Sequence, residues 1–216
     1  MSAAAVPTKP LLRGVSHEVA AFTTVGAWPL LAHVASTFRG MVAAFVYGIS
    51  LTALFTTSAV FHRVKFSRRG YAIIRRFDHS AIFIFIAGTY TPFCLLLAGR
   101  TGMMLLCAVW GGALLGVLRA VLWPHAPRAI TAALAVGVGW IVVSVLPALY
   151  TAVGNVPLVL LLTGGLVYTA GAVVYTAQWP DPVPKVFGYH EVFHALVVAA
   201  AVCHFAAVVH TVRAIQ

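Results

Sequence analysis

The sequence predicts an all-α integral membrane protein of seven transmembrane helices, with the N-terminus in the cytoplasm and the C-terminus outside. Three observations predict it: the composition, the recurrence of charge-free stretches about one bilayer long, and the side on which Lys and Arg fall. The 216 residues are 62% hydrophobic and 8% charged, with a mean hydropathy of +0.98, whereas an average soluble domain is about a quarter charged. Four acidic residues, Glu18, Asp78, Asp181 and Glu191, and fourteen Lys/Arg cannot cover a globule of this size. Lipid must therefore be the solvent for most of the chain, which excludes a soluble domain. The +10 formal charge does not point to nucleic acid, because the basic residues sit in short connectors where anionic lipid headgroups would meet them.

Residues 1–18 lack the basic start, short apolar run and small-residue cleavage site of a signal peptide, and are expected to remain as an N-terminal cytoplasmic segment. Residues 11–21 carry Arg13, His17 and Glu18 and suggest a short interfacial helix. Residues 19–213 are expected to form one membrane domain. Its charge-free stretches are 19–38, 40–62, 80–99, 101–118, 129–180 and 192–212. Each single stretch is near the ~20 residues that cross ~30 Å of hydrocarbon at 1.5 Å per residue. The fifth is about twice as long and carries the turn signal Gly154-Asn155-Val156-Pro157, so it divides into two and the spans number seven. Alternate connectors, counted from the N-terminus, hold Lys9, Arg13, Arg63, Lys65, Arg68, Arg69, Arg75, Arg76, Arg119, Arg128 and Lys185, against Arg39, Arg100 and Arg213 on the other side. The positive-inside bias orients the chain accordingly. Cys94, Cys107 and Cys203 have no CxxC spacing and read as packing residues.

Ionisable residues inside spans are costly in lipid and are functional candidates by default. Ser58 and His62 are four residues apart at the end of span two and share a helical face. Asp78 opens span three, and His190 and His194 are four apart at the start of span seven. By the predicted topology all five fall in the cytoplasmic leaflet. Imidazoles at i and i+4 can chelate one ion, and a third from a neighbouring helix leaves a tetrahedral position open for water, the plan of a catalytic zinc site. Taken singly, a span-end histidine also serves as an interhelical contact, Ser58 as a small packing residue, and Asp78 as a partner for Arg75 or Arg76. The string His190-Glu191-Val192-Phe193-His194 matches the HExxH pattern of zinc proteases. No carboxylate follows Glu191, however, and His204 lies about 15 Å further along the helix, too far for the same ion. His33 reads as an interhelical contact, and His17, His125 and His210 as interfacial. Pro92 is expected to kink span three and free the Gly88 carbonyl.

Ser58-Ala-Val-Phe-His62, Arg76-Phe-Asp78-His-Ser-Ala-Ile, Ala87-Gly-Thr-Tyr-Thr-Pro-Phe93 and His190-Glu-Val-Phe-His194 with the run on to His204-Phe carry a resemblance. From about Arg13 onward the chain resembles the hemolysin III family, the bacterial branch of the progestin and adipoQ receptor superfamily. The resemblance implies a seven-helix protein of the bacterial plasma membrane. It also implies a Zn2+ held by His62, His190 and His194, with Asp78 bonded to the water of the site and Ser58 lining it. Related branches, the adiponectin receptors and alkaline ceramidases, are regarded as zinc-dependent hydrolases of lipid amides, while the bacterial branch carries the hemolysin name and links to lipid homeostasis. Membrane lipids are thus the expected partners, as substrate and as anionic headgroups at the basic loop 63–76. Glu191 is a position at which the family varies, which argues against a catalytic role. Two readings follow: a lipid amide or ester hydrolase with Asp78 and Ser58 as catalytic residues, or a non-enzymatic protein, a pore-forming cytolysin or regulator of membrane state, in which zinc is structural or sensory.

Overall fold

A computed structural model describes residues 9–97 and 99–215; residues 1–8 of the expected N-terminal segment lie outside the described part. The architecture is all-helical: α1 (Val15–Val34), α2 (Phe38–Arg63), α3 (Arg68–Leu97), α4 (Gly99–Leu122), α5 (Arg128–Gly139), α6 (Leu146–Val153), α7 (Asn155–Ala177) and α8 (Tyr189–Ala214). A 3-10 segment, Trp140–Val145, joins α5 to α6, so the two act as one rod and the described residues form seven rods. Six of these, all but α1, are long and apolar enough to cross a membrane. The large apolar side chains that face outward, among them Met103, Met104, Leu114 and Leu115 of α4, would be an aggregation surface in water. This is an all-α, multi-pass membrane protein.

The divided fifth stretch is as expected. The break falls at Gly154, whose φ of +74° is open to glycine without strain. A second break, which no turn signal in the sequence marks, lies at Trp140–Val145. There the α-helix tightens before Pro147, which lacks an amide hydrogen and crowds the carbonyl four residues back. Tyr90 of α3 bridges this break: its hydroxyl donates to the Gly139 carbonyl at 2.5 Å and accepts from the Val142 amide at 2.9 Å. α3 also begins at Arg68, well before its apolar run, and is assigned as one helix through Pro92. Its basic first turns thus continue the rod that carries Asp78.

α8 packs against α7, α1, α3 and α2, so its first turns are surrounded by the N-terminal end of α1, the C-terminal end of α2 and the early turns of α3. Tyr47, Phe83, Phe93, Leu149, Val208 and Val212 are fully buried between the rods. Cys94 is buried in this core, Cys107 is exposed, and both are free, as is Cys203. The chain before α1 is tied to the chain before α8, with Leu11 N–H donating to the Lys185 carbonyl at 2.9 Å and Leu12 N–H to the Val186 carbonyl at 3.1 Å. Gly14 turns this segment into α1 at a φ of +80°, and a Cβ there would stand 2.6 Å from the His62 Cβ. The close approach of α1 to the end of α2 therefore depends on Gly14 having no side chain.

Candidate metal centre

His62 ends α2, and His190 and His194 occupy successive turns at the start of α8. The i, i+4 spacing puts the α8 pair on one face. Packing of α8 on α2 brings one nitrogen of each of the three rings within 4.8 Å of the others. The Nε2 atoms of His62 and His190 are 3.3 Å apart, and the His194 ring centroid lies 4.9 Å from that of His62 and 4.5 Å from that of His190. His194 is 2% exposed, and its Nδ1 is buried without a hydrogen-bond partner among the described residues. A buried polar atom without a partner costs about 1–3 kcal/mol. Three convergent imidazoles, one with an unpartnered nitrogen, suit a cation of borderline softness such as zinc.

Ser58 and Asp78 are both buried beside the cluster, and the Asp78 carboxylate faces Ser58. Asp78 makes no ion pair with Arg75 or Arg76 among the described residues; Arg76 is bonded to the Val121 and Ala72 carbonyls instead. The carboxylate therefore lies inside the bundle without a cationic partner.

Two histidines, His17 and His33, differ from their sequence reading, whereas Glu191 is turned away from the cluster as its position on the helix implies. His17, read as interfacial, is 3% exposed. Its Nδ1 shares a 2.8 Å hydrogen bond with Ser58 Oγ, and its ring stacks on His194 at 3.8 Å and 4° from parallel. A ligand lone pair lies in the ring plane, so two parallel stacked rings cannot aim at one ion. His17 thus supports the cluster and does not extend it. The signal was present in the sequence: His17 falls on the buried stripe of α1 with Ala20, Thr24 and Leu31. Glu191, the residue that completes the HExxH pattern, is 2% exposed and turned toward the N-terminal segment. One oxygen accepts the Gly188 amide at 2.9 Å, closing the first turn of α8, and the other lies 2.5 Å from Arg13 Nε, with an approach that satisfies charge and not hydrogen-bond direction. Glu191 anchors the segment over the site. His33 is exposed at the C-terminal end of α1, not an interhelical contact, and His125 and His210 are exposed as expected.

Behind the cluster a cavity of about 490 Å³ runs into the bundle. His17, Ser58, His62, Asp78, His190 and His194 line one part of it, and Phe85, Phe93, Trp140, Leu161 and Val197 the deeper part. His204 also faces it, with Nε2 3.0 Å from the Leu161 carbonyl, nearly three turns beyond His194 and apart from the cluster.

The fold and site define a class: a multi-pass α-helical membrane protein with a three-histidine cluster in the wall of a largely apolar internal cavity. The haemolysin-III-related family profile matches residues 6–205, and the chain belongs to that family. It is similar to the hemolysin-3 homolog of Bacillus subtilis (strain 168), 26% identical over 199 residues that cover 90% of both chains. It is also similar to hemolysin-3 of Bacillus cereus, 28% identical over 201 residues covering 90% of this chain and 88% of that protein.

Proposed function

We propose that this protein is a zinc-binding, seven-helix hydrolase of the bacterial plasma membrane that cleaves a lipid amide or ester bond at the cytoplasmic leaflet. The observation that carries the reading is the convergence of His62, His190 and His194 in the wall of a largely apolar cavity, beside a buried carboxylate that has no cationic partner among the described residues. A structural zinc is ordinarily closed by four protein ligands, whereas three leave one position for chemistry. α1, 20 residues long, is the seventh span in this reading, and the excess of Lys and Arg at the cluster's end of the bundle puts that end in the cytoplasm. Anionic headgroups at residues 63–76 hold the same end at the membrane surface.

Bound by the three histidines, zinc would polarise a carbonyl oxygen and lower the pKa of water from about 15.7 toward about 7. Asp78 takes the proton from the attacking water and returns it to the leaving nitrogen or oxygen, the ordinary work of a general base turned general acid. Ser58, held by His17, fixes the position of the Asp78 carboxylate. The apolar wall formed by Phe85, Phe93 and Val197 accepts the acyl chain and keeps bulk water from the reacting carbonyl.

Metal analysis of the purified protein and mass spectrometry after incubation with mixed bacterial lipids test this. About one zinc per chain is expected, falling sharply in His62→Ala, His190→Ala and His194→Ala but not in His33→Ala or His125→Ala. Asp78→Asn is expected to keep the metal and lose turnover by roughly 100-fold or more, within the 10²–10⁴ that general acid–base catalysis contributes. The second reading, a cytolysin or membrane-state regulator with structural or sensory zinc, is favoured by the name hemolysin-3 that a relative carries. A lytic or homeostatic phenotype that survives Asp78→Asn at full strength but is lost in His194→Ala would decide for it.

A further inference from the structure

Three guanidinium groups line the cavity from three different helices: Arg75 of α3, Arg119 of α4 and Arg128 of α5. Arg75 and Arg119 lie close enough for their charges to oppose each other, with His79 near both. Arg128 is exposed at the edge of the cavity, with its Cζ 5.6 Å from the ring centroid of Tyr175 and its Nη1 donating to the Tyr189 hydroxyl at 3.1 Å. Like charges gathered in one place are unfavourable unless an anion compensates them. None of the three is in an ion pair: among the described residues the ion pairs are Arg13 with Glu191 and Arg63 with Glu18, Asp181 accepts the Tyr189 amide, and Asp78, the acid that lines the same cavity, faces Ser58 and brings at most one negative charge against three positive ones. The decisive side chain is Arg119. Its Nε and Nη2 are buried with no hydrogen-bond partner among the described residues, and the Phe83 ring centroid lies 6.0 Å from the guanidinium carbon. A basic residue placed only by the positive-inside bias would extend all its donors to water; Arg119 turns Nε and Nη2 inward.

We propose that Arg75, Arg119 and Arg128 form an anion site that seats the phosphate of a lipid headgroup beside the histidine cluster. A tetrahedral phosphate presents oxygens in several directions and meets guanidinium groups arriving from three helices more fully than a planar carboxylate does. The apolar part of the same cavity argues that the phosphate arrives on a lipid, since a free ion would leave Phe85, Phe93 and Val197 facing an empty space. As a statement of substrate class, a phospholipid acyl ester, this rests on the hydrolase reading; as a binding site it stands without it.

The test uses the full chain purified in detergent, with binding of phosphatidylglycerol, diacylglycerol of the same acyl chains, and inorganic phosphate followed by native mass spectrometry, and lipid cleavage followed separately. Phosphatidylglycerol is expected to bind about tenfold or more tighter than diacylglycerol, as charge-assisted hydrogen bonds to two or three guanidiniums require. The Arg75→Gln/Arg119→Gln double variant should level the two lipids. Arg76→Gln, which removes an equal charge from the same end of the bundle but outside the cavity, should not. Equal binding of both lipids by the native chain overturns the site, whether or not the double variant folds, and so does a preference that Arg76→Gln abolishes as fully as the double variant. Inorganic phosphate binding as tightly as phosphatidylglycerol overturns the lipid assignment. A headgroup preference without cleavage sustains the anion site and removes the hydrolase; cleavage without a preference does the reverse.

Discussion

At the scale of single residues, the HExxH string separates into two tasks once the helix is formed. His190 and His194 lie on one face, and Glu191, rotated about 100° from His190, meets Arg13 and the Gly188 amide instead of the cluster. A protease with Glu191 as base would lose activity in Glu191→Gln and keep its fold. Here the expectation is the opposite. The amide side chain can still accept from Gly188, but Arg13 loses its one acidic partner among the described residues, and breaking a buried pair costs about 3–5 kcal/mol. Arg13 is partly exposed, so the lower end applies. Thermal or denaturant unfolding of the purified Glu191→Gln protein should show about 3 kcal/mol of destabilisation, with zinc content retained in the fraction that stays folded. Acidification acts on the neighbouring histidines in a separate way, because protons compete with a metal for the ring nitrogens. Metal content should fall on titration to acid pH and recover on return.

At the scale of elements, the rods on either side of the cavity are continuous where they carry the cluster and broken opposite it. α2 and α8 each run 26 residues without interruption, whereas the rod of α5 and α6 changes to 3-10 geometry at Trp140–Val145. Tyr90 is the tie across that break, and Gly139 and Trp140 beside it face the cavity. Tyr90→Phe removes the hydroxyl and leaves the Val142 amide and the Gly139 carbonyl to find other partners, at about 1–3 kcal/mol for each group left unsatisfied in the interior. Faster amide exchange at 140–145, measured by hydrogen–deuterium exchange, is the expected result, with exchange at the start of α8 unchanged.

At the scale of the whole molecule, the proposed arrangement places the histidine cluster, the basic connectors and the N-terminus on one side of the membrane. A reporter that is active only in the cytoplasm should work when inserted at Arg69 and fail when fused after Gln216. The reversed pattern would move the cluster to the outer leaflet and remove the cytoplasmic-leaflet substrate.

The apolar rods, the break at Gly154 and the candidate cluster His62, His190 and His194 with Ser58 and Asp78 were legible in the amino-acid sequence. Lipid as solvent demands long uncharged helices, and ionisable groups inside them are costly enough to be conspicuous. Spacing of four residues likewise set His190 and His194 on one face before any packing was known. Only the tertiary structure decided the rest. The burial of His17 against His194, the turning of Glu191 to Arg13 and the inward donors of Arg119 each depend on which helix stands opposite. Periodicity describes a helix against a uniform surround, whereas packing between helices is a property of pairs, and the partner in each pair here is distant in sequence.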